Sequence, residues 1–124
     1  MKKDPQKDTH NIFVYGTLRS KGWNNDLLRD AQLVAPAVTE KKYALYVGSI
    51  PYVVKDKEVS RIVGEVWSVD GDTLRRLDSL EGHPDWYKRE EVDVILEDNK
   101  PMRAWLYFNP TGGGALVESG DYFN

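Results

Sequence analysis

The sequence predicts an α+β fold: a mostly antiparallel sheet curled toward a barrel, with two short helices beside it. Two observations carry this. Short β-branched and aromatic runs recur from Ile12 to Phe108, bounded by glycine, proline or polar clusters. Only residues 24–31 and 69–82 space their apolar side chains for a helix, and both segments are short. Many strands with few helices is the pattern of an antiparallel sheet with helices set to one side.

The whole chain sets bounds on function. Its 124 residues suit one domain with a core of ordinary size. An apolar fraction of 40% beside a charged fraction of 30% belongs to a folding chain, not a disordered one. A net charge of −3 argues against nucleic acid as a partner, which calls for a basic face. There is no cysteine, so neither a disulfide framework nor a thiolate nucleophile is available. No apolar run approaches the ~18–20 residues of a membrane span, and the polar start has no signal-peptide core. A cytoplasmic protein without membrane or nucleic-acid partners is expected.

Taken in order, residues 1–11 are charged, carry Pro5 and lack periodicity, so they read as a frayed tail that includes His10. Residues 12–15 form a first buried strand that Gly16-Thr17 breaks into a tight loop. A glycine there reads either as a plain turn or as a close backbone approach, with N–H groups offered to an anion or carbonyl. It is no P-loop or dinucleotide fingerprint, because the further glycines and the Lys-Ser/Thr pair are missing. After a connecting loop at residues 19–22, Leu27, Leu28 and Ala31 follow a polar opening and predict a short amphipathic helix.

Residues 32–39 and 42–47 are strand-like, and Pro51 separates them from a short strand at Tyr52-Val53-Val54. Residues 59–69 are the longest strand candidate, with Gly64 as a bend or bulge. Residues 88–96 alternate charged and apolar side chains, as a strand buried on one face does. Residues 102–108 read as a last strand, buried on both faces or nearly so. The segment 109–124 has too little apolar content for an element, although Tyr122 and Phe123 can dock on the domain.

The helix at 69–82 has both ends marked. Asp70 or Asp72 can accept from the free N–H groups of the first turn, and Gly82 supplies a left-handed stop. Leu74 and Leu77 share one face, and Glu81 falls between them in angle, seven after the first and four after the second. A carboxylate therefore points toward the core, near the carbonyl end of the helix. Burial and that field both raise its pKa, as suits a general base working on an ammonium. A helix-final glutamate is also commonly solvated, and Asp78 lies one residue off the same face. The pattern leaves these readings open.

Other chemistries lack their residues. Two histidines, His10 and His83, without cysteine do not make a structural zinc site. No G-x-S-x-G elbow and no EF-hand loop occur. The acidic residues near 90–98 alternate with apolar ones as a solvated strand face does. An enzyme built from this chain works with a carboxylate, backbone donors, hydroxyls and aromatic walls.

Tyr15-Gly16-Thr17-Leu18-Arg19 together with Leu77-Asp78-Ser79-Leu80-Glu81-Gly82 resembles the γ-glutamylcyclotransferase-like family, most closely its γ-glutamylamine cyclotransferase (AIG2-like) branch. Pro51-Tyr52, Gly64-Glu65-Val66, Val69-Asp70, Tyr87-x-Arg89 and Gly120-Asp121-Tyr122 extend the resemblance over residues 12–124 as one domain. It implies a small mixed, mostly antiparallel β-barrel with flanking short helices. It implies a reaction too: a γ-glutamyl amide of a small amine or amino acid closes on itself to 5-oxoproline and a free amine. Glu81 would be the acid/base, and Tyr15, Gly16, Thr17 and Leu18 would hold the glutamyl part of a small-molecule substrate, with no cofactor and no metal. A binding module without turnover, or removal of a γ-glutamyl protecting group from a biosynthetic intermediate, are the alternative functions for the same residues.

Overall fold

A computed structural model of the chain describes residues 9–83, 85–109 and 114–123. Seven strands and one α-helix follow in the order β1 (Thr9–Val14), β2 (Gln32–Val47), β3 (Pro51–Val54), β4 (Ser60–Asp70), α1 (Gly71–Glu81), β5 (Lys88–Leu96), β6 (Pro101–Phe108) and β7 (Ala115–Leu116). The pairings return on themselves. β1 runs antiparallel to β4, β4 to β2, β2 to β5 and β5 to β6, and β6 meets β1 in parallel at Ile12–Trp105. The strands thus form a ring of pairings. β3 bridges it, antiparallel to β2 and parallel to β6 at Val53–Phe108, and β7 adds to β2 at Tyr46 and Val47.

Strand alternation sorts the apolar residues into two cores. Phe13, Leu45, Val53, Ile62, Val66, Val94 and Leu106, drawn from six strands, fill the interior of the ring. Their neighbours Ile12, Val14, Trp67, Val69 and Tyr107 face the other way and pack with Leu74 and Leu77 of α1. This is why 12–14 and 104–108 read as continuous apolar runs: both faces are buried. The helix is placed by the second core.

Several elements differ from the sequence reading, each for a local reason. β1 begins at Thr9, not Ile12, and His10 lies in it opposite Val69, so 9–11 are strand and not tail; residues 1–8 lie outside the described residues. The two strands expected at 32–39 and 42–47 are one strand of 16 residues with a register shift between Val38 and Lys42. Buried Thr39 stitches that irregularity. Its Oγ1 donates to the Lys41 carbonyl (2.7 Å) and accepts from the Ile62 N–H (2.9 Å). Gly64 is no bulge, since it pairs in register with Ala37; a Cβ there would stand 2.2 Å from the Val14 carbonyl oxygen. The helix expected at 24–31 is a single 3-10 turn, Asn25–Leu28, because Asn24 and Asn25 spend their side chains on Thr17 and the Leu18 carbonyl instead of on capping. Ala115–Leu116 forms a short strand where none was expected; residues 110–113 and 124 lie outside the described residues. Among the described residues no helix is long and apolar enough to cross a membrane.

Candidate active site

The helix that ends at Glu81 forms as its sequence dictates. The Asp70 side chain accepts from the Thr73 N–H at 2.8 Å, and Gly82 closes the other end at φ 69°. Three of the four carbonyls left over at that end find donors: Asp78 O accepts from the His83 N–H (2.9 Å), Ser79 O from the Gly82 N–H (3.2 Å) and Glu81 O from the Tyr87 N–H (3.1 Å). These bonds pull the chain back so that Tyr87 comes beside Glu81.

The loop after β1 is built just as tightly. The Arg19 N–H donates to Gly16 O and the Asn24 N–H to Thr17 O, while the Asn24 side-chain amide donates to Thr17 Oγ1. Gly22 lies so close beneath that a Cβ would stand 2.0 Å from Thr17 O. Ser20 anchors the far side on buried Glu65 through its N–H (2.8 Å) and Oγ (2.7 Å), and the Trp67 indole donates to the same carboxylate. With its carbonyls turned inward, the loop leaves the N–H groups of Gly16, Thr17 and Leu18 without a hydrogen bond to any described residue. Gly16 does not have a positive φ. Its need for glycine is spatial, because a Cβ would come 2.6 Å from Pro51 Cγ.

Between loop and helix end lies a cavity of about 300 Å³, and Tyr15, Gly16, Thr17, Leu18 and Glu81 all line it. The sequence singled out these five, and the fold brings them together. Asp78, the competing carboxylate, is excluded from it: Arg89 holds it in a fork (2.7 and 3.0 Å) and the Tyr107 hydroxyl donates to it at 2.6 Å. Burial works against its charge, but these hydrogen bonds and the Arg89 charge outweigh burial and hold its pKa below the ordinary value.

Glu81 is the reverse case. It is half-buried, and its carboxylate makes no hydrogen bond or ion pair with another described residue. Burial pushes its pKa up to about 7. The expected help from the helix carbonyls is damped by the bonds those carbonyls have found, so burial is the working cause. Tyr15, Tyr87 and Tyr107 wall the cavity. Burial first, and the charge of Glu81 among the lesser causes, raises all three phenols above their ordinary value, so they stay protonated. Their hydroxyls are spent on the Tyr107 carbonyl, the Pro51 carbonyl and Asp78 respectively. Among the described residues that line the cavity, the one group that can gain and lose a proton near neutrality is Glu81.

Over residues 12–124 the chain matches the family model for γ-glutamyl cyclotransferase, AIG2-like. The chain belongs to that family. Among its relatives is a Methanocaldococcus jannaschii protein provisionally named a γ-glutamylcyclotransferase, 52% identical over 112 residues, covering 90% of this chain and 93% of that one. A zebrafish (Danio rerio) γ-glutamylaminecyclotransferase C is 37% identical over 105 residues, covering 73% of this chain and 66% of that one. In fold, the chain superimposes on the crystal structure of an AIG2-like protein from Mus musculus with a TM-score of 0.81 at 24% identity, covering 93% and 88% of the two chains.

Sequence reasoning missed part of the cavity of this γ-glutamyl cyclotransferase family member. Trp23, Ile50 and Trp86 line it without a motif to mark them, because each reaches it from a loop. Tyr87, Pro51 and Tyr122 had a signal in the familial segments around them, though no role could be attached. Tyr122 and Phe123 do dock: Arg19 forms an ion pair with Asp121 at 2.7 Å and lies 4.9 Å from the centre of the Phe123 ring.

Proposed function

We propose that this protein is a cyclotransferase that converts a γ-glutamyl amide to 5-oxoproline and the free amine, with Glu81 as the single general acid/base. The observation that carries the reading is a carboxylate of pKa about 7, without a partner among the described residues, sharing a cavity with unpaired loop N–H groups. The reaction asks for those two things. A substrate's α-ammonium must lose a proton to become a nucleophile, and Glu81 takes it. The free amine then attacks the γ-carbonyl of its own molecule, so the cavity has only to fold the glutamyl chain into a reactive shape. The N–H groups of residues 16–18 hold the glutamyl carboxylate or the developing oxyanion. Glu81 hands its proton to the departing nitrogen as the C–N bond breaks. The second ammonium proton follows the same route, leaving a ring N–H and the released amine as its ammonium ion. No step calls for a metal or cofactor.

Incubation with γ-glutamyl-ε-lysine, γ-glutamyl-alanine, glutathione and the carboxylate-free γ-glutamyl-ethylamide, with 5-oxoproline as the readout, tests the reading. Release above the enzyme-free blank from any of them supports it. Binding without 5-oxoproline from any of the four would instead leave a ligand-binding module on the same fold.

A further inference from the structure

The cavity has a floor and a mouth of different character. Among the described residues that line it, Glu81 is the only one with a charged side chain, and none is a cation. The nearby arginines are committed elsewhere, Arg19 to Asp121 and Arg89 to Asp78, where Arg89 also lies 4.3 Å from the centre of the Trp105 ring. At the mouth, four apolar side chains line the cavity and yet stay open to solvent: Trp23 is 77% exposed, Trp86 52%, Leu80 48% and Ile50 36%. Trp86 is held there, its N–H bonded to Gly82 O (2.8 Å) and its ring set edge-on to Tyr87 at 5.3 Å. Isolated apolar side chains on a surface are ordinary, but four around the opening of one cavity mark a place for an apolar ligand group.

We infer that the mouth is the subsite for the departing amine, and that it selects amines carrying an apolar or aromatic group and no carboxylate. This rests on the cyclotransferase reading. With the glutamyl end at the loop donors and the scissile bond at Glu81, the amine's substituent extends outward over Trp23 and Trp86. A carboxylate on that substituent, as an amino acid leaving group carries, would meet no cation among the lining residues and would lie on the side of a second carboxylate, Glu81. An aromatic ring would cover apolar surface and stack on the indoles.

Three substrates isolate the two effects. γ-Glutamyl-phenethylamide and γ-glutamyl-phenylalanine differ by one carboxylate, and γ-glutamyl-ethylamide lacks the ring. The expected result is a kcat/KM for the phenethylamide at least about tenfold above each of the others. Trp23→Ala, at a side chain that is mostly solvated, should shrink the phenethylamide-to-ethylamide ratio toward one. Calorimetric titration of the three amides into the Glu81→Gln protein reads the same order as affinity, without turnover. A flat order in that titration, or phenylalanine matched to phenethylamide, overturns the subsite. An ordered titration alongside no 5-oxoproline from any amide supports the subsite and overturns the cyclotransferase reading instead.

Discussion

Asp78 and Glu81 lie three residues apart on one helix, and their surroundings give them opposite protonation behaviour. Asp78 is kept ionised by its partners; Glu81, without a partner among the described residues, has its pKa pushed up by burial. The folded pKa of Glu81 is about 7 against an ordinary 4.5. Burying its charged form therefore costs stability, fully above pH 7, and the cost fades as pH falls toward 4.5. By linkage it reaches on the order of 3 kcal/mol. Glu81→Gln should thus melt several degrees above the parent at pH 8, with the gap closing toward pH 4.5. A Gln variant that melts lower at pH 8 would mean a paired structural carboxylate. Asp78→Asn should act in the other sense. Its lowered pKa contributes stability above the ordinary value of 3.8, and that is lost as pH falls through the folded pKa. Denaturant unfolding at pH 7 should show the variant about 1–3 kcal/mol less stable, because Arg89 and Tyr107 lose a charged acceptor. An unchanged midpoint would deny Asp78 that role.

At the scale of elements, legibility followed how local the cause was. Helix α1 was readable because both its caps and its apolar face lie within 69–82. β2 was not, since its continuity depends on Thr39 reaching Ile62, 23 residues away. The 3-10 turn was misread because its asparagines serve the loop before it, a tertiary use that spacing does not reveal. Close backbone approach was half legible, one of two readings at Gly16 and unread at Gly64, and it sets two expectations. Gly64→Ala brings a Cβ against the Val14 carbonyl, backbone that cannot move aside, so a loss of about 1–3 kcal/mol in denaturant unfolding is expected. Wild-type stability would show that β1 can shift. Gly16→Val meets Pro51 and narrows the cavity between loop and helix. A raised KM accompanied by a lower Tm is expected; unaltered kinetics would show that this loop does not hold the substrate.

Across the whole molecule, a ring of strands buries one core inside and leaves a second outside, and α1 docks on the second. That docking sets Glu81 opposite the loop after β1. Five of the cavity's residues were legible because two short motifs carry them, and the charge of Glu81 against its apolar face was itself a signal. The mouth was illegible, since loop aromatics such as Trp23 and Trp86 follow no period. The pH dependence joins these scales. kcat/KM should rise along a limb centred near pH 7, above the range of a free glutamate, modulated by the substrate's own ammonium. The most direct test compares Glu81→Gln with the parent for 5-oxoproline release from an amide that the parent turns over. The swap keeps shape and removes the proton carrier, so a loss of about 10²–10⁴-fold is predicted, in a protein that melts no lower than the parent at pH 8. A variant that keeps a rate near the parent's would contradict the account, because some other group would then be moving the proton.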